Sequence, residues 1–122
     1  MEIDSLINRF NVVFSNISLR NGKVVGMQRY NCGDIIYRIE TGVVKYFWEM
    51  HETNKSFTID SDFVLDIHDR ASILQYIEEC VYDGNCKLIY DTNYENGAIY
   101  NFRIVATKNI EIGEEIKIKY DY

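Results

Sequence analysis

Proline is absent, histidine occurs only twice (His51 and His68) and tryptophan once among the 122 residues. Two histidines with no evident nucleophile beside them leave little for hydrolysis, and neither a His-Glu-x-x-His pattern nor a phosphate-cradling glycine loop occurs. Cys32, Cys80 and Cys86 are an odd set at spacings that suit neither a disulfide framework nor a four-ligand zinc site, so they read as reduced, structural thiols. No run of Lys or Arg forms a stripe, and the net charge is −6. That balance argues against direct nucleic-acid binding and favours a cationic partner. The opening MEIDSLINRFNVVF lacks the charged start and continuous apolar run of a signal peptide. No apolar stretch reaches the roughly 18 residues a membrane helix needs, so the expectation is a soluble, intracellular protein with no membrane partner. Internal repeats, low-complexity tracts and linker composition are also missing, which leaves a single domain over 1–122.

What is present favours strands. The chain is 47% hydrophobic, with 10 Tyr and 6 Phe, enough apolar content for one core of modest stability. Residues 1–9 suit a short helical turn and Phe10–Ile17 a strand. Asn21-Gly22 between apolar stretches is a strong hairpin signal, because both residues accept positive φ, and it pairs Ile17-Ser18-Leu19 with Val24-Val25-Gly26. Turns at Cys32-Gly33-Asp34 and Thr41-Gly42 introduce strands over Ile35–Ile39 and Val43–Met50. Brief strands follow at Phe57–Ile59 and Phe63–Leu65. Asp69 is placed to cap a helix of about three turns through Cys80, with Ile73, Tyr76, Ile77 and Cys80 on one face. After a turn cluster at Tyr82–Asn85, strands at Lys87–Tyr90 and Ile99–Ala106 join across Asn96-Gly97. The sum is a β-rich α+β domain.

The closing stretch has the clearest pattern. Beyond the Gly113-Glu114 turn, Ile116, Ile118, Tyr120 and Tyr122 share one face of an extended chain, while Lys117, Lys119 and Asp121 share the other. A terminus that buries two tyrosines is unlike a solvated tail.

Four segments stand in a telling order. Arg103-Ile104-Val105-Ala106, Ile110, Gly113-Glu114-Glu115-Ile116 and Tyr120 form a basic-apolar strand, an Ala-x-x-x-Ile step and a Gly-Glu-Glu-apolar-x-apolar-x-Tyr close. Ser18–Gly26 is followed seven residues on by Gly33-Asp34-Ile35-Ile36-Tyr37. Phe63-Val64-Leu65-Asp66 is a short strand ending in Asp, and Tyr76–Cys86 reads YIEECVYDGNC. Together, over about 18–122, these segments resemble the SET-domain protein lysine methyltransferases. Some positions depart from the family pattern. Asn21 and Lys23 stand where glycines are usual, Glu78 and Glu79 replace an Asn-His pair, and Gly84 replaces a proline. Asn85 and Cys86 are kept, but the cysteine-rich tail that completes a zinc site in many members is not, so no metal is implied.

The resemblance implies a fold of several small sheets with one short helix and a C-terminal strand threaded beneath a loop. It implies S-adenosylmethionine as cofactor, held by Asn21, Gly22, Lys23, Glu78 and Glu79. Tyr120 would present its hydroxyl beside the transferring methyl, and Tyr37, Phe102 and Tyr122 would wall the substrate lysine's channel. The substrate would be a basic protein segment such as a histone tail; the compartment is left open, with the nucleus implied only if the substrate is a histone, and two copies could pair to complete the channel. Read without the family, Asn21-Gly22 is a hairpin turn, Tyr120 a core tyrosine, and Glu78 and Glu79 solvated carboxylates. A second functional reading is a degenerate domain that keeps the fold as a protein-binding module.

Overall fold

Short apolar segments punctuated by Gly, Asn and Asp dictate many brief strands, and that is the architecture. The computed structural model describes residues 17–39, 42–50, 55–67 and 73–119. The expected helical turn over 1–9, the strand from Phe10 up to residue 16, the Asp69 cap and the inward faces of Tyr120 and Tyr122 lie outside the described residues. Among the described residues no helix is long and apolar enough to cross a membrane.

The first sheet is a hairpin. β1 (Ile17–Arg20) and β2 (Lys23–Gly26) pair antiparallel with Ile17 opposite Gly26 and Leu19 opposite Val24. Asn21 (φ 54°) and Gly22 (φ 76°) both adopt the left-handed conformation that a tight two-residue turn requires. A three-stranded sheet is built from β4 (Val43–Tyr46), β5 (Lys55–Thr58) and β6 (Phe63–Ile67), with β6 in the middle. The largest sheet runs in the order β3 (Ile35–Arg38), β9 (Ile99–Ala106), β8 (Cys86–Thr92), β10 (Lys117–Lys119) and β7 (Glu78–Cys80). Between the sheets, Ile17, Leu19, Val24, Ile73, Ile104, Ile116 and Ile118 are almost fully buried in one core.

Two expectations change. The strand from Val43 stops at Tyr46, because its partner β6 begins at Phe63 and offers no residue beyond the Tyr46–Phe63 pair. Phe47–Glu49 instead form a single 3-10 turn. The expected three-turn helix from Asp69 to Cys80 does not form over its described part. Ile73–Tyr76 make one 3-10 turn and Glu78–Cys80 are a strand. Of the positions expected to be buried, Ile73 and Ile77 are, but the end of the segment is claimed by the sheet: Glu78, Glu79 and Cys80 pair in parallel with Lys117, Ile118 and Lys119. A ladder with a distant strand has overridden local helix propensity.

Candidate functional site at the threaded strand

In the closing segment Ile116 and Ile118 are buried while Lys119 is exposed and Lys117 half-exposed, as the alternation requires. β10 lies between β7 and β8 and runs parallel to both. Two parallel neighbours that are consecutive in the chain can be joined only by a connection that crosses the strand between them. Residues 81–85 make that crossing. Gly84 is buried at the crossing point, where a Cβ would collide with the backbone nitrogen and Cβ of Lys119.

Asn85 then locks the crossing. Its N–H donates to the Lys117 carbonyl at 2.9 Å, its Oδ1 accepts the Lys117 N–H at 3.0 Å, and its Nδ2 donates to the Glu115 carbonyl at 2.8 Å. The same Nδ2 reaches Glu114 Oε2 at 3.1 Å. Cys86 donates its thiol to the Lys117 carbonyl at 3.1 Å, and burial, with the charge of Cys80 second, pushes its pKa up to about 12. Such a thiol stays protonated and inert.

The hairpin reaches the same strand. Backbone hydrogen bonds join Ile116 N–H to the Val24 carbonyl at 2.8 Å and Gly113 N–H to the Gly26 carbonyl at 2.8 Å. On the surface Lys23 Nζ lies 3.8 Å from Glu115, which lies 3.9 Å from Lys117 Nζ, itself 3.4 Å from Asp83. The hydrogen bond that Lys117 donates to Asp83, more than the charge of Asp83 or that of Glu115, raises the Lys117 amine above its ordinary pKa. Asn21, Gly22 and Lys23 form an exposed turn, with open space where a Gly22 side chain would stand. Lys23 and Glu115 thus link the turn to the strand beside Glu78.

Glu78 and Glu79 lie on β7, not at a helix end, and by strand alternation face opposite ways. Glu78 is exposed. Glu79 is half-buried and accepts the Thr58 N–H at 2.5 Å and the Thr58 hydroxyl at 2.8 Å, which ties the three-stranded sheet to the five-stranded one. Near them the Lys55 amine is lowered by burial, an effect that the charges of Glu79 and Glu78 oppose.

Tyr37 pairs directly with Ile104, and Phe102 lies two residues away on the same strand, so both expected substrate residues share one sheet face. Tyr37 is half-buried and Phe102 buried. Tyr120 and Tyr122 are outside the described residues. Tyr90 packs on Phe102 with ring centroids 5.7 Å apart. It also lines a cleft of about 500 Å³ with Val44, Ile59, Asp60, Phe63 and Ile99. Sequence reasoning passed over Tyr90 and Asn85 as site residues; Asn85 in YIEECVYDGNC was the available signal. Among the described residues no group of three or more His, Cys, Asp or Glu is placed to hold a metal ion.

No protein-family model matches the sequence, and no curated protein matches it. Among solved structures the chain is similar to ATXR5, a SET-domain protein, in the crystal structure of its complex with mono-methylated histone H3.1. The TM-score is 0.57 at 18% sequence identity, and the match covers 87% of this chain and 57% of that one. The fold is SET-like. The chain spans little more than half the length of that chain, and at this identity the likeness concerns architecture alone. Within the SET-like fold the expected β-rich layout, small sheets and threaded closing strand are all present, with 3-10 turns in place of the short helix.

Proposed function

We propose that this chain is an S-adenosylmethionine-dependent protein lysine methyltransferase that acts on a basic protein segment such as a histone tail. The observation that carries the reading is the threading of Lys117–Lys119 beneath Asp83–Asn85 in a SET-like fold. It supports the register in which Gly113-Glu114-Glu115-Ile116 leads to Tyr120, the residue next after Lys119 in the chain. In this reading Asn21, Gly22 and Lys23 hold one end of the cofactor, consistent with the open space above Gly22. Glu78, exposed and acidic, suits the cationic donor. Glu79 is engaged by Thr58 and would hold cofactor only after releasing it. When bound, S-adenosylmethionine supplies an electrophilic methyl on a sulfonium.

The protein's task is then positioning. The substrate lysine must arrive neutral and in line, which a narrow apolar channel favours by disfavouring the ammonium. Tyr120 orients the amine through its hydroxyl, and its ring, with Tyr37, Phe102 and Tyr122, walls the channel. An aromatic face beside the donor also attracts its sulfonium, by about 0.5 to 2 kcal/mol. Pairing of two copies completes the channel, and sedimentation equilibrium returning a monomer at every concentration removes that part.

A second reading, a SET-like module that binds protein without methyl transfer, is favoured by the Glu79–Thr58 hydrogen bonds, which occupy a carboxylate at a cofactor position. Calorimetric titration with S-adenosylmethionine, with methyl transfer assayed on lysine-bearing peptides, separates the two. Binding with turnover that Tyr120→Phe abolishes is the expected result. Absence of heat at high cofactor concentration leaves the binding module.

A further inference from the structure

Strand β4 runs out into Tyr46-Phe47-Trp48-Glu49, and Tyr46 stands opposite Phe63 of β6. Tyr46 stacks on Phe63 at 4.7 Å and on Trp48 at 4.5 Å between ring centroids, and Phe47 meets Trp48 edge-on at 5.1 Å. A core would hide such a stack. Here Tyr46, Phe47 and Trp48 are 43%, 55% and 62% exposed. The rings are nevertheless held in place: Tyr46 N–H donates to Glu49 Oε1 at 3.2 Å, and Phe47 N–H donates to the Asp62 carbonyl at 2.9 Å. Asp60 Oδ1 accepts the N–H groups of Asp62 and Phe63, each at 2.8 Å. Because Phe63 also lines the cleft with Tyr90, the stack and the cleft form one surface.

Among the described residues, the segments that frame this surface carry charge of one sign, and Lys55, on the same face of the three-stranded sheet, stands at its far end over the buried Phe57 ring. Segments 46–50, 57–63 and 93–102 carry Glu49, Asp60, Asp62 and Glu95 and contain no Lys or Arg. Asp91 nearby is already paired with Arg103 at 3.3 Å, and Lys45 is paired with Asp66 at 2.8 Å. Strand alternation puts Lys45 on the sheet face opposite Val44 and Tyr46.

We infer that the Tyr46–Trp48–Phe63 stack and the adjoining cleft are a docking surface for an extended, arginine-bearing protein segment. The guanidinium is the side chain that both stacks flat on an aromatic face and forks onto carboxylates, and this surface offers both at once. A second copy is disfavoured, since a two-fold interface lays the same patch on itself and would bring Glu49, Asp60, Asp62 and Glu95 against their equals. A nucleic-acid backbone meets the same repulsion. The surface goes beyond the methyl-transfer reading and does not require it.

Trp48 is the single tryptophan, so its emission reports occupancy directly. The full chain, without S-adenosylmethionine, is titrated at low salt with a synthetic peptide of alternating Arg and Ala, and in parallel with Lys-Ala and Glu-Ala peptides. The expected result is a saturable change for the arginine peptide that weakens with salt, a weaker response to lysine and none to glutamate. A Glu49→Gln, Asp60→Asn, Asp62→Asn variant keeps the turn's acceptor oxygens while removing three charges, and should bind the arginine peptide about tenfold less tightly with its circular dichroism unchanged. Tyr46→Ser, which removes the middle ring, should weaken it as well. No saturable change with arginine, an equal response to the glutamate peptide, or undiminished affinity in the triple variant overturns the assignment. So does a concentration-dependent dimer that Trp48→Ser abolishes, which would give the surface to a second copy. Failure to bind S-adenosylmethionine would end the methyl-transfer reading and leave these outcomes untouched.

Discussion

Asn85 and Lys117 exchange hydrogen bonds in both directions: the Asn85 N–H donates to the Lys117 carbonyl at 2.9 Å, and the Lys117 N–H donates to Asn85 Oδ1 at 3.0 Å. One amide side chain thus does what a neighbouring strand residue would do. It lets an irregular connection lie across β10 without orphaning the backbone beneath it.

Asn85→Ala should therefore be costly. It removes the acceptor for the Lys117 N–H and the donor for the Glu115 carbonyl, at a residue only 7% exposed. Unpaired buried groups cost about 1–3 kcal/mol each, so chemical denaturation should register a loss of about 3 kcal/mol. Asn85→Asp keeps the acceptor, loses the donor and adds charge beside Glu114, so it should be destabilised as well.

Gly84→Ala tests the crossing itself. Its demand is for space, since the methyl would meet the Lys119 backbone, which has no flexible end to move aside. The connection must lift off β10, and hydrogen exchange at Lys117 and Asn85 should speed up relative to β8 and β9. Unchanged protection at those two amides would contradict the threading.

Asp66, fully buried, is balanced by Lys45 Nζ at 2.8 Å, with the Lys45 side chain 29% exposed. Lys45→Met removes the cation 2.8 Å from a buried carboxylate and should cost about 3 kcal/mol, the lower end of the range for a broken buried pair because Lys45 is partly solvated. Adding Asp66→Asn should recover part of that loss, and a double-mutant cycle measures the coupling.

Cys86 gives an alkaline limit. Its pKa rises from 9.0 when solvated to about 12 when buried, so below 9.0 the thiol is neutral in both states and does not affect folding. As pH climbs from 9.0 toward 12 the unfolded chain loses this proton while the folded chain keeps it, and stability falls. Cys86→Ala should flatten that part of the stability-against-pH curve. At neutral pH, native-state alkylation followed by mass spectrometry should label the exposed Cys32 and spare Cys86.

The local chemistry of the fold was legible in the sequence. Asn21-Gly22 fixed a hairpin because few residue pairs tolerate two consecutive positive φ angles, and the alternation of Ile116, Lys117, Ile118 and Lys119 fixed which side of the closing strand is buried. The resemblance also placed the threading. Contacts between distant segments were another matter. Ile73, Tyr76, Ile77 and Cys80 carry a helical period, yet Glu78–Cys80 became a strand because Lys117–Lys119, nearly forty residues later, offered it a ladder. The Glu79 carboxylate accepts hydrogen bonds from Thr58 of another sheet, a contact that no local pattern announces. Periodicity reports which side chains want burial; which backbone satisfies them is decided only when remote strands meet, since the ladder's hydrogen bonds do not exist in any local segment.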